Sequence, residues 1–429
     1  MRRGSELLIA LVVALVMAIL AVQRIPAEIR NIVWAEDGRN FLDDRLRMGA
    51  WHSVFEVYEG YLHVVPRLLT DLAVWAFPID AFAVTSAVFS CAVSGVVAAL
   101  VYVCSRDLVR SRLLRIALAS ITVLAPTLPV EVLGNFANVH WSFLWLAPWL
   151  LLYRPRTTGG AVALGIVGLL CGLTEIQMLF FVPLALVNVR HLRSWIVSIP
   201  TAAGVLVQLM TTLLNPRTPN LTVRPGLLDI VVGYGELPVL GAFEGHVSRI
   251  GHALADGGWG AAAANVIIVS VIIAFCLVPM LTATGFARWV PLVLVGGSFV
   301  TWSAAVWLNP NPLWQYADLD AVALNALTAT RYVAVPSMLL LGAVVYSAAH
   351  AYDRGGRGRF IAGLAVGVVA VSFIGSFHVD RFSREGGPQW SESVGDARSS
   401  CAADPGSVEI GTIPSHWFVT VPCDVLDSR

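Results

Sequence analysis

The chain has 429 residues, of which 57% are hydrophobic and only 13% are charged, and its mean hydropathy is +0.74. This balance excludes an ordinary soluble globular domain and is typical of a chain that crosses a membrane many times. The formal net charge is zero, so no nucleic-acid partner is expected. The composition therefore predicts an all-α integral membrane protein.

The N-terminus resembles a signal peptide, because Arg2 and Arg3 precede an apolar stretch from Leu7 to Val22. The residues that follow lack the small side chains of a cleavage site, so we interpret this stretch as a retained first helix. Ten more stretches of roughly membrane-crossing length follow. The eleven predicted transmembrane helices lie near residues 6–23, 81–104, 112–130, 139–153, 160–174, 176–189, 194–214, 262–284, 288–308, 331–349 and 359–377.

Arginine in the short loops predicts the orientation of these helices. With the N-terminus in the cytoplasm, every predicted cytoplasmic loop contains Arg, at 106–115, 154–156, 190–193, 285–288 and 353–359. The C-terminus is then extracytoplasmic, and the protein is predicted in the plasma (inner) membrane. The predicted organisation is a transmembrane domain at 1–377 and an extracytoplasmic tail at 378–429, with large extracytoplasmic loops at 24–80, 215–261 and 309–330.

The cysteines agree with this orientation. Four of the six lie in apolar stretches, where cysteine is usually a small buried hydrophobe. Cys401 and Cys423 lie in the polar tail, where an oxidising compartment would let them pair. The sequence therefore predicts a tail closed by a disulfide, with two unrelated free thiols as the alternative.

Two adjacent carboxylates, Glu36 and Asp37, follow the first predicted helix. Charged groups are scarce in this chain, and a carboxylate pair at the outer membrane surface suits acid–base chemistry on a lipid-linked substrate. The alternative is that both are ordinary loop or helix-capping acids. If the protein uses a divalent cation such as Mg²⁺, Mn²⁺ or Ca²⁺, the same pair is the predicted ligand set, but the sequence does not decide whether a cation is present.

The rest of the first outer loop adds Tyr61, His63 and Arg67. Pro66 suits the first turn of a helix, and the spacing of the following residues predicts an amphipathic helix at the membrane interface. Its polar stripe would face a cavity that these three side chains border. The alternative is a helix that only anchors the loop to the membrane surface.

Later outer segments supply further polar candidates. Asn138 and His140 precede Trp141 between two predicted helices, in a pattern that an aromatic belt with loop amides would also explain. Glu175 and Gln177 interrupt an apolar run and mark either a tight outer turn or a functional acid.

Arg331 begins the tenth predicted helix on the outer side and is followed by Tyr332. An outer arginine runs against the charge rule, and a cation at a helix start is disfavoured by the helix dipole. We therefore expect an anionic partner, which is either a carboxylate such as Asp318 or Asp320, or a phosphate, which the forked guanidinium suits. Arg217, Arg224 and Arg249 in the large outer loop are weaker candidates of the same kind.

Four short motifs on this scaffold support a family resemblance. They are Glu36-Asp37-Gly38, the pattern Gly-Tyr-Leu-His-x-x-Pro-Arg at 60–67, Asn-x-His-Trp at 138–141, and Arg331-Tyr332. With about eleven spans, this combination resembles the GT-C superfamily of integral-membrane glycosyltransferases, particularly bacterial members of the actinobacterial type. The resemblance covers the architecture of most of the chain, and Glu36 and Asp37 match the defining motif.

The resemblance implies transfer of a sugar from a polyprenyl-phosphate donor to an extracytoplasmic acceptor, which is a cell-envelope glycan, a lipid or a protein. Glu36 or Asp37 would act as general base in an inverting reaction, and Arg331, helped by His63 or Arg67, would stabilise the leaving phosphate. Arg331 is then expected on the order of 10 Å from the carboxylates, too far for a salt bridge.

Two other classes of function remain open at this stage. A polytopic carrier or a lipid or glycan flippase would also have many spans, but its polar groups usually gather at the membrane midplane. A non-catalytic scaffold of envelope glycan assembly would keep the architecture without the chemistry.

Overall fold

The computed structural model describes residues 2–217, 223–404 and 406–427, and most of these residues are helical. Within these ranges, eight helices are long and apolar enough to cross a membrane, which supports the prediction of a multi-pass membrane protein. The eight are Gly4–Gln23, Ile79–Asp107, Arg112–Glu131, Leu192–Leu214, Val247–Thr282, Gly285–Leu308, Arg331–Asp353 and Arg357–Gly375.

Two more predicted spans are shorter apolar helices, Val139–Leu152 and Thr158–Gly172. The helix predicted at 262–284 begins earlier, at Val247, and continues to Thr282. Its backbone is broken at Gly258, where φ is +51°, a conformation that glycine adopts without a steric penalty.

The helix predicted at 176–189 was wrong in type. This segment consists of two 3₁₀ stretches, Ile176–Phe180 and Val182–Asn188. Its hydrogen bonds run three residues back, as from the Phe181 N–H to the Met178 carbonyl at 3.0 Å. Pro183 sits at the start of the second stretch and lacks the N–H that a continuous α-helix would use there.

The first outer loop contains short helices, as predicted, together with a small hairpin. Its elements are Ala27–Arg30, a π-helix at Asp37–Leu42, Asp43–Met48, Ala50–Val54, the strands Val57–Tyr58 and Tyr61–Leu62, and Val64–Ala76. The last helix is amphipathic as expected: Thr70 is fully buried, while Leu72 and Trp75 are 44% and 71% exposed. It therefore has one face packed on the protein and one apolar face turned outward.

The remaining outer segments also form short elements. They are Leu227–Tyr234, a π-helix at Gly235–Leu240, the 3₁₀ turns Pro312–Trp314 and Tyr316–Asp318, and Ala321–Asn325.

Polar contacts at one end of the helix bundle join the loops that contain the predicted cytoplasmic arginines. Glu6 pairs with Arg112 at 2.7 Å and with Arg115 at 3.0 Å. Arg154 donates a hydrogen bond to Asn188 at 2.9 Å. Three of the five basic loops, near residues 106–115, 154–156 and 188–193, therefore lie at the end of the bundle where the first helix begins.

At the opposite end of the bundle, Arg24 joins several helix ends by hydrogen bonds. Its buried guanidinium donates to the carbonyls of Ala125 at 3.0 Å, Ser376 at 2.7 Å and Phe377 at 3.0 Å. These contacts join the ends of the first, third and last long helices. The predicted alternation places these three helix ends on the same side, and in the structure they lie together.

The helix Arg331–Asp353 lies at the centre of the bundle, where 94% of its most apolar stretch is buried. Trp145 and Trp149 pack against it at Gly342, where an added Cβ would lie 2.8 Å from the Trp145 ring. Only a glycine permits this close approach. The central packing holds the helix that begins with Arg331.

The C-terminal tail is a small folded unit. The helix Trp390–Ala403 is followed by the antiparallel strands Ser407–Thr412 and Trp417–Pro422 and by the helix Cys423–Asp427. A disulfide joins Cys401 to Cys423, as predicted. The prediction of an all-α chain missed this hairpin.

The tail hairpin packs directly against the segment that contains the acid pair. The Ala35 N–H donates to the Ile413 carbonyl at 2.6 Å, and Asp43 accepts from the Thr420 N–H at 2.9 Å. A Cβ on Gly38 would lie 2.9 Å from the Thr412 side chain. The tail therefore supports the backbone on which Glu36 and Asp37 are mounted.

Candidate functional site

Glu36 and Asp37 lie at the turn into the π-helix Asp37–Leu42. Ala35 precedes them in a left-handed conformation with φ at +44°, which is uncommon for a residue with a Cβ. The parallel bridge between Trp34 and Ile413 of the tail holds this turn. Beyond this turn, the Asp37 carboxylate points into the protein interior and the Glu36 carboxylate faces a cleft.

Asp37 is completely buried. Its two carboxylate oxygens accept hydrogen bonds from the backbone N–H groups of Phe136 at 2.8 Å and Ala137 at 2.7 Å. Burial raises the pKa of Asp37 to about 7, although these two hydrogen bonds and the charge of Arg384 act in the opposite direction. Asp37 does not border the cleft described below. In this position it stabilises the backbone at residues 136–137.

Glu36 faces a polar cleft and meets Arg331 there. Glu36 Oε1 lies 3.8 Å from Arg331 Nη1, and Glu131 Oε1 lies 3.4 Å from the same nitrogen. Glu131 also accepts a 2.8 Å hydrogen bond from the Arg331 backbone N–H. The expected separation of about 10 Å between this arginine and the acid pair was therefore wrong for Glu36, because the helix start lies beside the first loop.

Arg331 does have anionic partners, as its position predicted. They are Glu36 and Glu131, whereas the sequence had suggested Asp318 or Asp320. Glu131 ends the short helix Leu128–Glu131, which follows the third long helix after a break at Ala125. Its position immediately after an apolar span was the signal that could have singled it out.

The cleft has a volume of about 770 Å³, counted out to its open mouth. Its walls are formed by the first loop, by one end of each of the two shorter apolar helices, and by two long helices. Its lining is Glu36, Phe41, Tyr58, Glu59, Tyr61, His63, Ala137, Asn138, His140, Trp141, Glu175, Ile176, Gln177, Arg217, Ala304, Ala305, Leu308, Asn309, Arg331 and Tyr332.

Six of the site residues predicted from the sequence besides Glu36 meet in this cleft. They come from three distant parts of the chain, and they are Tyr61, His63, Asn138, His140, Arg331 and Tyr332. The two aromatic neighbours Trp141 and Tyr332 pack edge to face with ring centroids 6.0 Å apart. The predicted convergence of these outer segments on one cavity is present in the fold.

Asn138 is held by its own loop. Its side-chain amide donates to Asn135 Oδ1 at 2.9 Å and to the Glu131 carbonyl at 3.2 Å, and its oxygen accepts from the Trp141 indole at 3.0 Å. These bonds fix the loop that also presents Glu131 to Arg331. Asn138 therefore borders the cleft and stabilises its wall.

The wall formed by His140 and Glu175 is a second polar group. His140 Nδ1 is hydrogen-bonded to Glu175 Oε2, and the other Glu175 oxygen accepts from the Gln177 N–H at 2.7 Å. Glu175 is only 2% exposed. The sequence marked Glu175 and Gln177 as a break in an apolar run, and the structure places both in the cleft.

Besides Asp37, two predicted site residues do not reach the cleft. Arg67 is 1% exposed and lies 3.0 Å from Asp44, with its guanidinium 5.2 Å from the centre of the Phe41 ring. Arg224 is exposed and lies over Trp307, 5.3 Å from that ring centre. Both arginines therefore have other partners, and Arg217, bonded to Glu59 at 2.8 Å, is the second arginine of the cleft.

The two predicted metal ligands have different surroundings. Both oxygens of Asp37 accept hydrogen bonds from backbone N–H groups, and Glu36 faces the cleft with Arg331 beside it. The described residues contain no group of three or more His, Cys, Asp or Glu side chains arranged to hold a metal ion.

Comparison of the chain with protein-family models, with curated proteins and with solved structures finds no match.

Proposed function

We propose that the protein is a membrane glycosyltransferase of the GT-C type, which moves a sugar from a polyprenyl-phosphate donor to an extracytoplasmic acceptor with inversion. The observation that carries the proposal is that Glu36 and Arg331 line the same cleft. Their 3.8 Å ion pair has to open so that the donor sugar and its phosphate lie between the two side chains. A carboxylate that can accept a proton and a cation that can hold a leaving phosphate are the two groups that such a transfer requires.

The proposed topology has eleven crossings. The eight long helices are joined by the two shorter apolar helices and by the 3₁₀ segment 176–188. With the N-terminus in the cytoplasm, the basic loops lie inside and the cleft and the tail lie outside. The disulfide between Cys401 and Cys423 suits an extracytoplasmic tail.

In the proposed reaction, Glu36 accepts the proton of the acceptor hydroxyl as its oxygen attacks the anomeric carbon. The bond from that carbon to the phosphate oxygen breaks, and the electron pair leaves with the polyprenyl phosphate. Arg331 stabilises the charge of the leaving group, because a guanidinium offers phosphate several donors in one plane. Glu131 positions Arg331 by accepting a hydrogen bond from the Arg331 backbone N–H.

An apolar groove beside the cleft supports a lipid-linked donor. The residues that line it include Val65, Leu69, Phe89 and Leu170. The Val65 N–H donates to the Thr174 hydroxyl at 3.2 Å. The groove residue Val65 therefore lies beside the segment that enters the cleft at Glu175, so a lipid chain in the groove would run alongside the cleft.

The experiment is a transfer assay in proteoliposomes, with radiolabelled polyprenyl-phosphate sugars and an envelope extract as the source of acceptors. Glu36→Gln keeps the shape of the side chain but cannot accept a proton, so we expect transfer to fall by about 10²- to 10⁴-fold. The matched control is Glu28→Gln in the same loop, where the side chain is exposed. Wild-type turnover by Glu36→Gln would contradict the assigned base, and lipid movement without transfer would favour the carrier.

A further inference from the structure

One end of the cleft contains buried polar atoms that are not paired with the rest of the described protein. His63 is 3% exposed. The Tyr58 backbone lies within reach of its ring, but neither ring nitrogen makes a hydrogen bond of good geometry to a described residue. The side-chain oxygen Oε1 of Gln177 is buried and likewise without a partner. Both residues line the cleft, and a buried polar atom left unpaired costs about 1–3 kcal/mol.

The chemistry of these atoms is that of a neutral ligand. Burial lowers the pKa of His63 well below its ordinary value, and the nearby His140 and Arg67 act in the same direction. A neutral imidazole offers one donor and one acceptor, and the Gln177 oxygen only accepts. Hydroxyl groups satisfy both kinds of site, because each hydroxyl donates one hydrogen bond and accepts others.

The cations at this end already have acidic partners, because Arg217 is bonded to Glu59 at 2.8 Å and His140 to Glu175. Glu175 is the carboxylate beside Gln177, and it is held by His140 and by the Gln177 N–H. A phosphate placed against this carboxylate would meet like charge in a partly dehydrated site. The anionic part of a substrate therefore belongs beside Arg331, and the His63 end suits an uncharged group.

Aromatic rings complete this end of the cleft. The Tyr61 ring lies 4.3 Å from the His63 ring, and Trp141 lies 4.4 Å from His140, centre to centre. Rings of this kind supply flat apolar surface beside the polar atoms. A sugar ring combines an apolar C–H face with hydroxyl groups around its edge, which matches both features.

We propose that His63, Gln177, Tyr61 and Trp141 form a subsite for an uncharged sugar ring, with Glu175 as the residue that positions His140 and Gln177. The inference rests on the proposed function, which it deepens by assigning the carbohydrate contact within the cleft. Both the transferred sugar of the donor and a sugar of the acceptor have this chemistry, and the experiment distinguishes them.

The test uses purified full-length protein in nanodiscs and a panel of methyl glycosides, with binding measured by saturation-transfer NMR. We expect saturable binding of at least one glycoside. Gln177→Leu and His63→Phe should each weaken it on the order of tenfold, because each removes hydrogen bonds worth about 1 kcal/mol. His63→Asn, which keeps a donor and an acceptor, should recover part of the loss.

Two controls separate this proposal from the proposed function. His191→Phe, in an exposed position at the opposite end of the bundle, should bind glycosides as the wild type does. Arg331→Ala should retain glycoside binding while losing polyprenyl-phosphate binding. If glycosides bind in a His63-dependent way but no sugar is ever transferred, the subsite stands and the proposed enzyme does not.

The source of the sugar follows from the products in the transfer assay. A methyl glycoside that becomes labelled occupies the subsite as acceptor, whereas one that competes with the donor and stays unlabelled occupies the place of the donor sugar. Transfer that proceeds normally in His63→Phe and Gln177→Leu, or glycoside binding that neither substitution changes, would overturn the subsite.

Discussion

The cleft and the buried layer beneath it, which contains Asp37 and Arg384, both use carboxylates and arginines, but for different purposes. In the lower layer, Asp37 is fully buried and both of its oxygens are bonded to backbone N–H groups at 2.7–2.8 Å. In the cleft, Glu36 meets Arg331 at 3.8 Å and keeps one oxygen, Oε2, without a hydrogen-bond partner among the described residues. A carboxylate such as Asp37, with both oxygens hydrogen-bonded, stabilises a loop. A carboxylate such as Glu36, with one oxygen lacking a hydrogen-bond partner, can still bind a ligand.

The same contrast separates two arginines that face this end of the bundle. Arg384 is buried and donates to the carbonyl of Gly134 at 2.6 Å and to that of Leu133. It ties the tail to the loop that Asp37 also holds. Arg331 instead has a side chain that is 30% exposed and carboxylates as partners. We therefore expect substitutions in the lower layer to change stability and those in the cleft to change function.

The largest expected effect is on stability. Asp37→Ala leaves the N–H groups of Phe136 and Ala137 buried without partners, so the free energy of unfolding should fall by about 2–6 kcal/mol. Thermal unfolding in detergent measures this, with Glu36→Gln as the control that should unfold like the wild type. An Asp37→Ala protein as stable as the wild type would remove the distinction between the two layers.

The tail should show the next largest effect. Replacing Cys401 and Cys423 together by Ser should destabilise the tail by about 3 kcal/mol in the chain-entropy account. Since the hairpin supports the backbone at Ala35, transfer should fall as well. Limited proteolysis of the double variant, compared with the wild type under reducing conditions, measures the opening of the tail. Unchanged proteolysis in both would show that the tail is held by packing alone.

Arg331→Ala should weaken donor binding on the order of 10- to 100-fold, because charge-assisted hydrogen bonds are worth about 1.5–3 kcal/mol. Lys should restore only part of the affinity, since it lacks the forked geometry. Binding of a polyprenyl phosphate in nanodiscs is the measurement. Arg249→Ala is the control, because Arg249 is 63% exposed and lies outside the cleft. An equal loss in this control would mean that general charge, and not the site, attracts the lipid.

The most gradual effect is a dependence of the free energy of unfolding on pH, which is spread over about three pH units. Burial raises the pKa of Asp37 to about 7 in the folded protein, against about 3.9 when unfolded. The folded state binds this proton more tightly, so the contribution of Asp37 is full below pH 4 and is lost as the pH rises through 7. The stability of the wild type relative to Asp37→Asn should therefore decrease over that range, by at most about 1.4 kcal/mol per unit. A constant difference between the two melting curves would show that the Asp37 carboxyl does not titrate there.

Much of the architecture follows from the sequence, because apolar stretches and arginine positions are local properties. Eight long apolar helices and the pairing of Cys401 with Cys423 appear as predicted. The segment 176–189 differed, since apolar length alone does not distinguish an α-helix from successive 3₁₀ turns around Pro183. The tail hairpin was missed because short alternating strands leave a weak pattern.

The sequence by itself also determined that Tyr61, His63, His140 and Arg331 belong together, since each occupies the outer end of its segment. Only the tertiary structure decided which acid faces the cleft. Glu36 and Asp37 are one residue apart, and their directions depend on the turn at Ala35 and on N–H groups about a hundred residues later. Likewise, Arg67 is diverted by Asp44, and Glu131 is brought to Arg331. Such contacts depend on how the helices pack, and the local sequence contains no record of that packing.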